Sequence, residues 1–147
     1  MNNKPTQYDE LRISKFIPGI AWFFLILIAI SIPGHDLPQF DSWFTQISFD
    51  KLIHTGLFAV LAFLFMYPLL NSSFPGKEKR NYLVKITIAT CLYGIVTEII
   101  QKYYVPGRSF DLYDVAADCL GCIIALLFTK TPLSKKLILI LNKFQRH

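Results

Sequence analysis

Ten side chains in this sequence have the types and the spacing to do chemistry, and they fall in three short stretches. DKLIH holds Asp50, Lys51 and His54. EIIQ holds Glu98 and Gln101, and RSFDLYDVAAD holds Arg108, Ser109, Asp111, Asp114 and Asp118. A histidine beside carboxylates can take and return a proton near neutral pH. His54, Glu98, Asp114 and Asp118 are therefore the candidate catalytic positions. Arg108 has the planar fork that fits a phosphate, and Lys51 adds a second positive charge. With Asp50, Gln101, Ser109 and Asp111 they form the candidate substrate-binding set.

Carboxylates outnumber cations in this set, and several of them in a partly desolvated site cannot all stay ionised and unpaired. Three arrangements satisfy the charge: pairing with Arg108 and Lys51, protonation of Glu98 or Asp118, or a divalent cation. No metal motif with fixed ligand spacing is present, so no metal ligand and no cofactor is assigned. Ser109 is the only evident nucleophile, and no sequence-level base accompanies it. Plainer roles compete. Ser109 and Asp111 suit a helix cap, Gly107 after Pro106 suits a turn, and a lone histidine is often a packing residue.

The elements that must position these groups are apolar helices. The 147-residue chain is 53% hydrophobic and 17% charged, which leaves room for one domain, 1–147, of membrane rather than soluble composition. Four runs, 16–32, 52–70, 83–100 and 112–128, are each about 17–19 residues, or roughly 26–29 Å as helix, close to a bilayer's hydrocarbon thickness. A soluble bundle needs a polar stripe on every helix, and the first run carries no charge at all. The predicted fold class is all-α integral membrane, four transmembrane helices in two hairpins. The segment LSKKLILILNKF (133–144) is too short to span and is predicted as an amphipathic helix on the cytoplasmic face.

Twelve of the fifteen basic residues lie before the first span, between the second and third, or after the fourth, including Lys4, Lys77, Lys79, Arg80 and Arg146. The positive-inside rule then places both termini in the cytoplasm of a multi-pass cell-membrane protein. Loops 33–49 and 101–111 face outward, and seven of the ten acids, Asp36 and Asp41 among them, lie on that side. The net charge of +5 is thus a cytoplasmic excess beside anionic lipid, not a nucleic-acid signal. Cleavage of the first span is disfavoured by Pro33 and by Asp9 and Glu10 upstream. The first loop's Pro33-Gly34 turn and its aromatics Phe40, Trp43 and Phe44 suit the headgroup level. The loop 71–81 reads as a Pro-Gly turn with mixed charge. Cys91, Cys119 and Cys122 fall within spans, and one C-x-x-C pair in an apolar helix reads as small filler rather than zinc or redox chemistry.

Periodicity places the polar residues on shared faces. Thr87, Cys91, Gly94, Glu98 and Gln101 repeat at steps of three and four, as do Asp111, Asp114, Asp118, Gly121 and Ala125, while Asp50 and His54 are one turn apart. Polar residues within spans face the bundle interior, and small ones allow close helix approach. These faces should meet in one cluster near the outer surface. Ser48-Phe49-Asp50 and Ser109-Phe110-Asp111 echo each other as caps at the start of the second and fourth spans.

The series Asp50-Lys51-x-x-His54, Glu98-x-x-Gln101, VPGRSFD-x-x-D (105–114) and Gly121 resembles the VanZ-like family over residues 32–128. One departure is Asp118, where that family more often carries Asn, which adds a carboxylate to the cluster. The resemblance implies a small membrane protein linked to resistance against teicoplanin, a lipoglycopeptide that acts on cell-wall precursors at the outer face. Two functions of different class follow. One is a site that binds or modifies an anionic envelope lipid or a lipid-linked, phosphate-bearing precursor. The other is a non-enzymatic scaffold or partner subunit whose polar cluster locks the helices. A carrier ranks last for a monomer, since four helices give it little room, and an oligomer would reopen that option.

Overall fold

The computed structural model describes residues 11–33 and 43–144. Among them every regular element is helical. A 3-10 turn, Ile13–Phe16, leads into α1 (Ile17–Ile30), followed by α2 (Trp43–Leu70), α3 (Gly76–Tyr104), α4 (Leu112–Phe128) and α5 (Pro132–Phe144). Ile13–Ile30, Phe49–Leu70 and Gly76–Tyr104 are each long and apolar enough to cross a membrane. Taken with α5, α4 makes a fourth such stretch, bent by 86° at their junction. The fold is the expected all-α membrane type, with three or four spans.

Large apolar side chains cover the outside of the bundle. Ile28, Leu52, Leu92, Leu120 and Leu139 are among those exposed. In water such a surface would drive aggregation, whereas lipid tails match it. Inside, Ile26, Phe58, Leu61, Met66 and Cys122 form the buried core. Cys91, Cys119 and Cys122 are all free thiols. Side-chain pairings give the helix directions. Trp22 Nε1 donates to the Leu57 carbonyl at 3.0 Å, and Phe16 meets Phe65, so α1 runs antiparallel to α2. The Tyr93 hydroxyl donates to the Phe23 carbonyl at 3.0 Å, and the two rings stack at 4.1 Å. His54 faces Asp118 and Phe63 faces Phe128, so α2 and α4 run parallel in direct contact, and α3 runs antiparallel to α4, its Glu98 meeting Asp111 and its Gly94 meeting Asp118.

Two predicted helix starts move. The second helix begins at Trp43, not 52, because nothing between Trp43 and Leu52 is Pro or Gly to break it. Ser48 and Asp50 are therefore interior to α2, and the echo with Ser109–Asp111 is not structural. The third begins at Gly76, not 83. Pro75 stands at its N-cap position and Glu78 lies in its first turn, where negative charge suits the dipole. Only residues 71–75 remain as the link. Lys79 reaches back across it to the Ser72 carbonyl at 2.8 Å and the Leu70 carbonyl at 3.5 Å, closing the end of α2. Gly34, Asp36, Phe40, Asp41, Arg146 and the flank 1–10 with Lys4, Asp9 and Glu10 lie outside the described residues, as do the side chains of Trp43, Phe44 and Lys143.

The closest helix approach is between α2 and α4. A Cβ on Gly121 would collide with the Thr55 carbonyl and approach the Ala59 amide to 2.9 Å, and both are backbone atoms that cannot rotate away. Gly56, on the exposed side of α2, has nothing within 4 Å of such a Cβ. Gly121→Ala is expected to lower the melting temperature in detergent, by the equivalent of about 1–3 kcal/mol of overpacking. Gly56→Ala is expected to leave it unchanged or raise it slightly, since Ala favours helix over Gly. Circular-dichroism melts of the two variants side by side check this.

Candidate functional site

The polar residues gather where α2 and α4 run past the C-terminal part of α3. Each is placed by its own helix face. Buried positions on α3 include Thr87, Gly94, Thr97, Glu98 and Gln101, and on α4 Asp114, Asp118, Gly121 and Ala125. Cys91 is only half-buried. Between the helices, Val105-Pro106-Gly107-Arg108 makes a turn closed by the Arg108 amide on the Val105 carbonyl at 3.2 Å. Gly107 sits at φ 75, the left-handed region that glycine tolerates, so Pro and Gly occupy the positions a type II turn requires. The turn ends at Asp111, which caps α4 by accepting from the Tyr113 amide at 2.8 Å.

Lys51 is the hub of the charge network. Its Nζ lies 2.6 Å from Asp111 Oδ2, 2.5 Å from Asp114 Oδ1 and 3.4 Å from Asp50 Oδ2. His54 forms the next layer, with Nδ1 3.0 Å from Asp118 Oδ1 and Nε2 3.9 Å from Asp114 Oδ1. An ionised carboxylate can only accept, so Nδ1 donates to Asp118. Glu98 comes in from α3 and accepts the Asp111 amide on Oε2 at 3.0 Å, satisfying one of the free donors at the start of α4. Its second oxygen, Oε1, is buried without a hydrogen-bond partner, as is Asp118 Oδ2. Asp118 packs so closely on Gly94 that a Cβ there would lie 2.8 Å from Oδ2.

Of the ten residues singled out in the sequence, Asp50, Lys51, His54, Glu98, Asp111, Asp114 and Asp118 form one connected network. Gln101 is buried on the same face of α3. Ser109 is exposed and takes no part in that network. Arg108 departs most from expectation. Among the described residues no carboxylate lies within ion-pairing distance of it, and its Nε is buried without a partner. Lys51 alone carries the neutralising role that the sequence divides between two cations, because it projects from α2 directly at α4 whereas Arg108 sits on the turn. Two supporting residues escaped the sequence reading. Thr97 is fully buried and returns its hydroxyl to the Gly94 carbonyl at 2.7 Å, so the close approach of Asp118 to α3 is lined by a self-satisfied polar group. Thr97 lies between the periodic positions, which is why spacing alone did not select it. Lys79, the other, acts at the opposite end, on α2. Asp50, His54 and Asp114 could each offer one ligand atom to a metal ion, and those atoms lie within 4.8 Å of one another.

Asp111 is the ionisable group of the network that lies outside the helical spans. Partial burial pushes its carboxyl up, but hydrogen bonds from the Lys51 ammonium and the Tyr113 amide outweigh that and hold it below the usual carboxylate range. A depressed folded value means that its contribution to stability is present above the unfolded value, about 3.9, and is lost as pH falls through the folded one. Asp111→Asn should therefore lower the melting temperature at pH 6 and converge with wild type on the acid side, which melts between pH 6 and pH 3 will read. Lys51→Met should destabilise the bundle by leaving three aspartates without their cation, and Asp114→Asn in that background should recover part of the loss. A double-mutant cycle in detergent is expected to return a Lys51–Asp114 coupling of about 0.5–3 kcal/mol.

No solved structure shows significant similarity to this chain. A similar protein is the uncharacterized protein C11E3.10 of Schizosaccharomyces pombe (strain 972 / ATCC 24843), 31% identical over 78 residues. That alignment covers 53% of this chain and 44% of the yeast protein, so the chain spans less than half of that relative's length. A family model described as VanZ/LLP1 matches residues 7–135, which takes in all four apolar helices and every residue of the charge network. By that match the chain belongs to the VanZ/LLP1 family.

Proposed function

We propose that this end of the bundle binds the phosphate-bearing headgroup of an anionic envelope lipid or a lipid-linked cell-wall precursor, and that Arg108 is the group that meets the phosphate. The observation that carries this reading is the guanidinium itself. Arg108 Nε is buried without a partner, while Lys51 is already taken by Asp50, Asp111 and Asp114. A guanidinium presents parallel N–H donors that match two oxygens of one phosphate, and burial makes each such bond count for more. Ser109, exposed beside it, adds a hydroxyl. Three residues after Arg108, Asp111 joins this turn to Lys51 and Glu98, and His54, Glu98, Asp114 and Asp118 have the proton-handling chemistry to modify a bound headgroup.

The distribution of Lys and Arg supports a multi-pass orientation with both termini cytoplasmic, which opens the site to the outer face. That is the side on which teicoplanin meets cell-wall precursors, and the protein acts there by holding or altering one. A second reading rests on the Lys51 network and the contact at Gly121: both would serve a scaffold or partner subunit whose charges only lock the helices.

Expression in a teicoplanin-sensitive host should raise the inhibitory concentration several-fold. Arg108→Ala and Glu98→Gln should each return it to the vector level while membrane abundance and detergent melting stay at wild-type values. Resistance retained in both variants sinks the ligand-binding reading. Loss of folded protein in the membrane, in step with loss of resistance, selects the scaffold.

A further inference from the structure

The geometry points to a divalent transition-metal site formed by Asp50, His54 Nε2 and Asp114, with Asp118 as the residue that orients the histidine. The inference starts from the two nitrogens of one ring. Nδ1 is 3.0 Å from Asp118 Oδ1 and gives its proton there. In the neutral imidazole Nε2 then presents a lone pair, and it faces Asp114 Oδ1 at 3.9 Å, an oxygen that accepts from Lys51 Nζ and keeps a further lone pair. That separation is too long for a hydrogen bond. With Nε2 unprotonated the two acceptors repel, the Lys51 ammonium offsets this from the Asp114 side alone, and a cation between them would remove it. A cation at about 2.0–2.2 Å from each would draw them together by roughly half an ångström, within reach of side-chain adjustment.

Three further observations agree. His54 is nine-tenths buried, with 6% of its surface exposed, so bulk water does not screen this repulsion. Asp50 brings a carboxylate oxygen into the same group, all three ligand atoms lying within 4.8 Å of one another. The His54–Asp118 bond has the form of the outer-shell contact that ligating histidines make, in which a carboxylate takes the second ring proton, fixes the tautomer and raises the basicity of the ligating nitrogen. Asp118 is fully buried and supplies that carboxylate.

The donor set of one imidazole and two carboxylates suits Mn²⁺, Fe²⁺ or Zn²⁺ better than Ca²⁺ or Mg²⁺, which prefer oxygen throughout. A dication also addresses the charge surplus. Five carboxylates, Asp50, Glu98, Asp111, Asp114 and Asp118, surround Lys51 and His54, and Glu98 Oε1 is buried without a partner. Asp114 would be shared, one lone pair of its carboxylate on Lys51 and another on the metal. This site is distinct from the Arg108 phosphate reading, because a bound metal can be measured with no lipid present.

The test uses the full-length chain in detergent, stripped with chelator and titrated with Mn²⁺ and with Zn²⁺. One equivalent of Mn²⁺ should bind, and electron spin-echo spectra should show nitrogen coupling from a directly bound imidazole. His54→Ala and Asp114→Asn should weaken binding by about 100-fold or more, and Asp118→Asn by about 10–100-fold with the stoichiometry kept. A Cys91→Ala/Cys119→Ala/Cys122→Ala variant should bind Zn²⁺ like wild type, which separates this site from the thiols. Absence of binding, a bound Mn²⁺ without nitrogen coupling, or affinity unchanged in folded His54→Ala and Asp114→Asn would each overturn the assignment. So would loss of Zn²⁺ binding in the thiol-free variant. The spin-echo measurement needs only wild-type protein and decides the matter even where a variant fails to fold.

Discussion

Lys51 stands 2.5–3.4 Å from three carboxylates, two of them on or beside the start of α4, in a bundle that exposes large apolar side chains along its helices. Charge in such surroundings is costly unless it is paired, and here one flexible ammonium does most of the pairing. The arrangement ties α2 to α4 electrostatically at the end where α4 begins. It also sets the start of α4, because Asp111 both answers Lys51 and caps the helix. Glu98 extends the tie to α3 by accepting the Asp111 amide, so α2 and α3 both converge on the start of α4 at Asp111 and Asp114.

This electrostatic tie works only because the helices can come close. Gly121 lets α4 lie against the backbone of α2 at Thr55 and Ala59, and Gly94 lets Asp118 lie against α3. A side chain at either position would push the carboxylates out of range of Lys51 and His54. The small residues and the charged residues are thus one device, spaced along the same faces. In lipid, where apolar burial gives helices little reason to associate, close packing and polar contacts supply the association. The cluster therefore has a structural role, and it leaves three buried polar atoms, Arg108 Nε, Glu98 Oε1 and Asp118 Oδ2, without a hydrogen-bond partner.

The VanZ/LLP1 family match takes in the α3–α4 turn and the helix faces beneath it, where the charge network lies. The matched segment extends from residue 7 to residue 135, so it includes α1. Among the described residues no hydrogen bond or ion pair joins that helix to the candidate groups. It holds α2 and α3 in place through Trp22 on the Leu57 carbonyl and Phe23 against Tyr93.

Much of this was legible in the sequence because it follows from local rules. Four apolar runs, the steps of three and four that align Glu98 with Gly94 and Asp114 with Asp118 and Gly121, and the Pro-Gly turn before Arg108 are all short-range patterns. α4 matched its predicted limits because Asp111 marks its start. The helix starts at Trp43 and Gly76 were missed for the converse reason. Polar residues there looked like loop, yet a helix backbone satisfies itself whatever its side chains are. Tertiary structure alone decided which cation meets which carboxylate. Spacing puts Lys51 and Arg108 equally near the acids, and only the parallel packing of α2 on α4 aims Lys51 at Asp111 and Asp114. The same packing decides that His54 turns one nitrogen to Asp118 and the other to Asp114. That depends on how two helices pack through residues 64 positions apart in the chain, which no local pattern encodes.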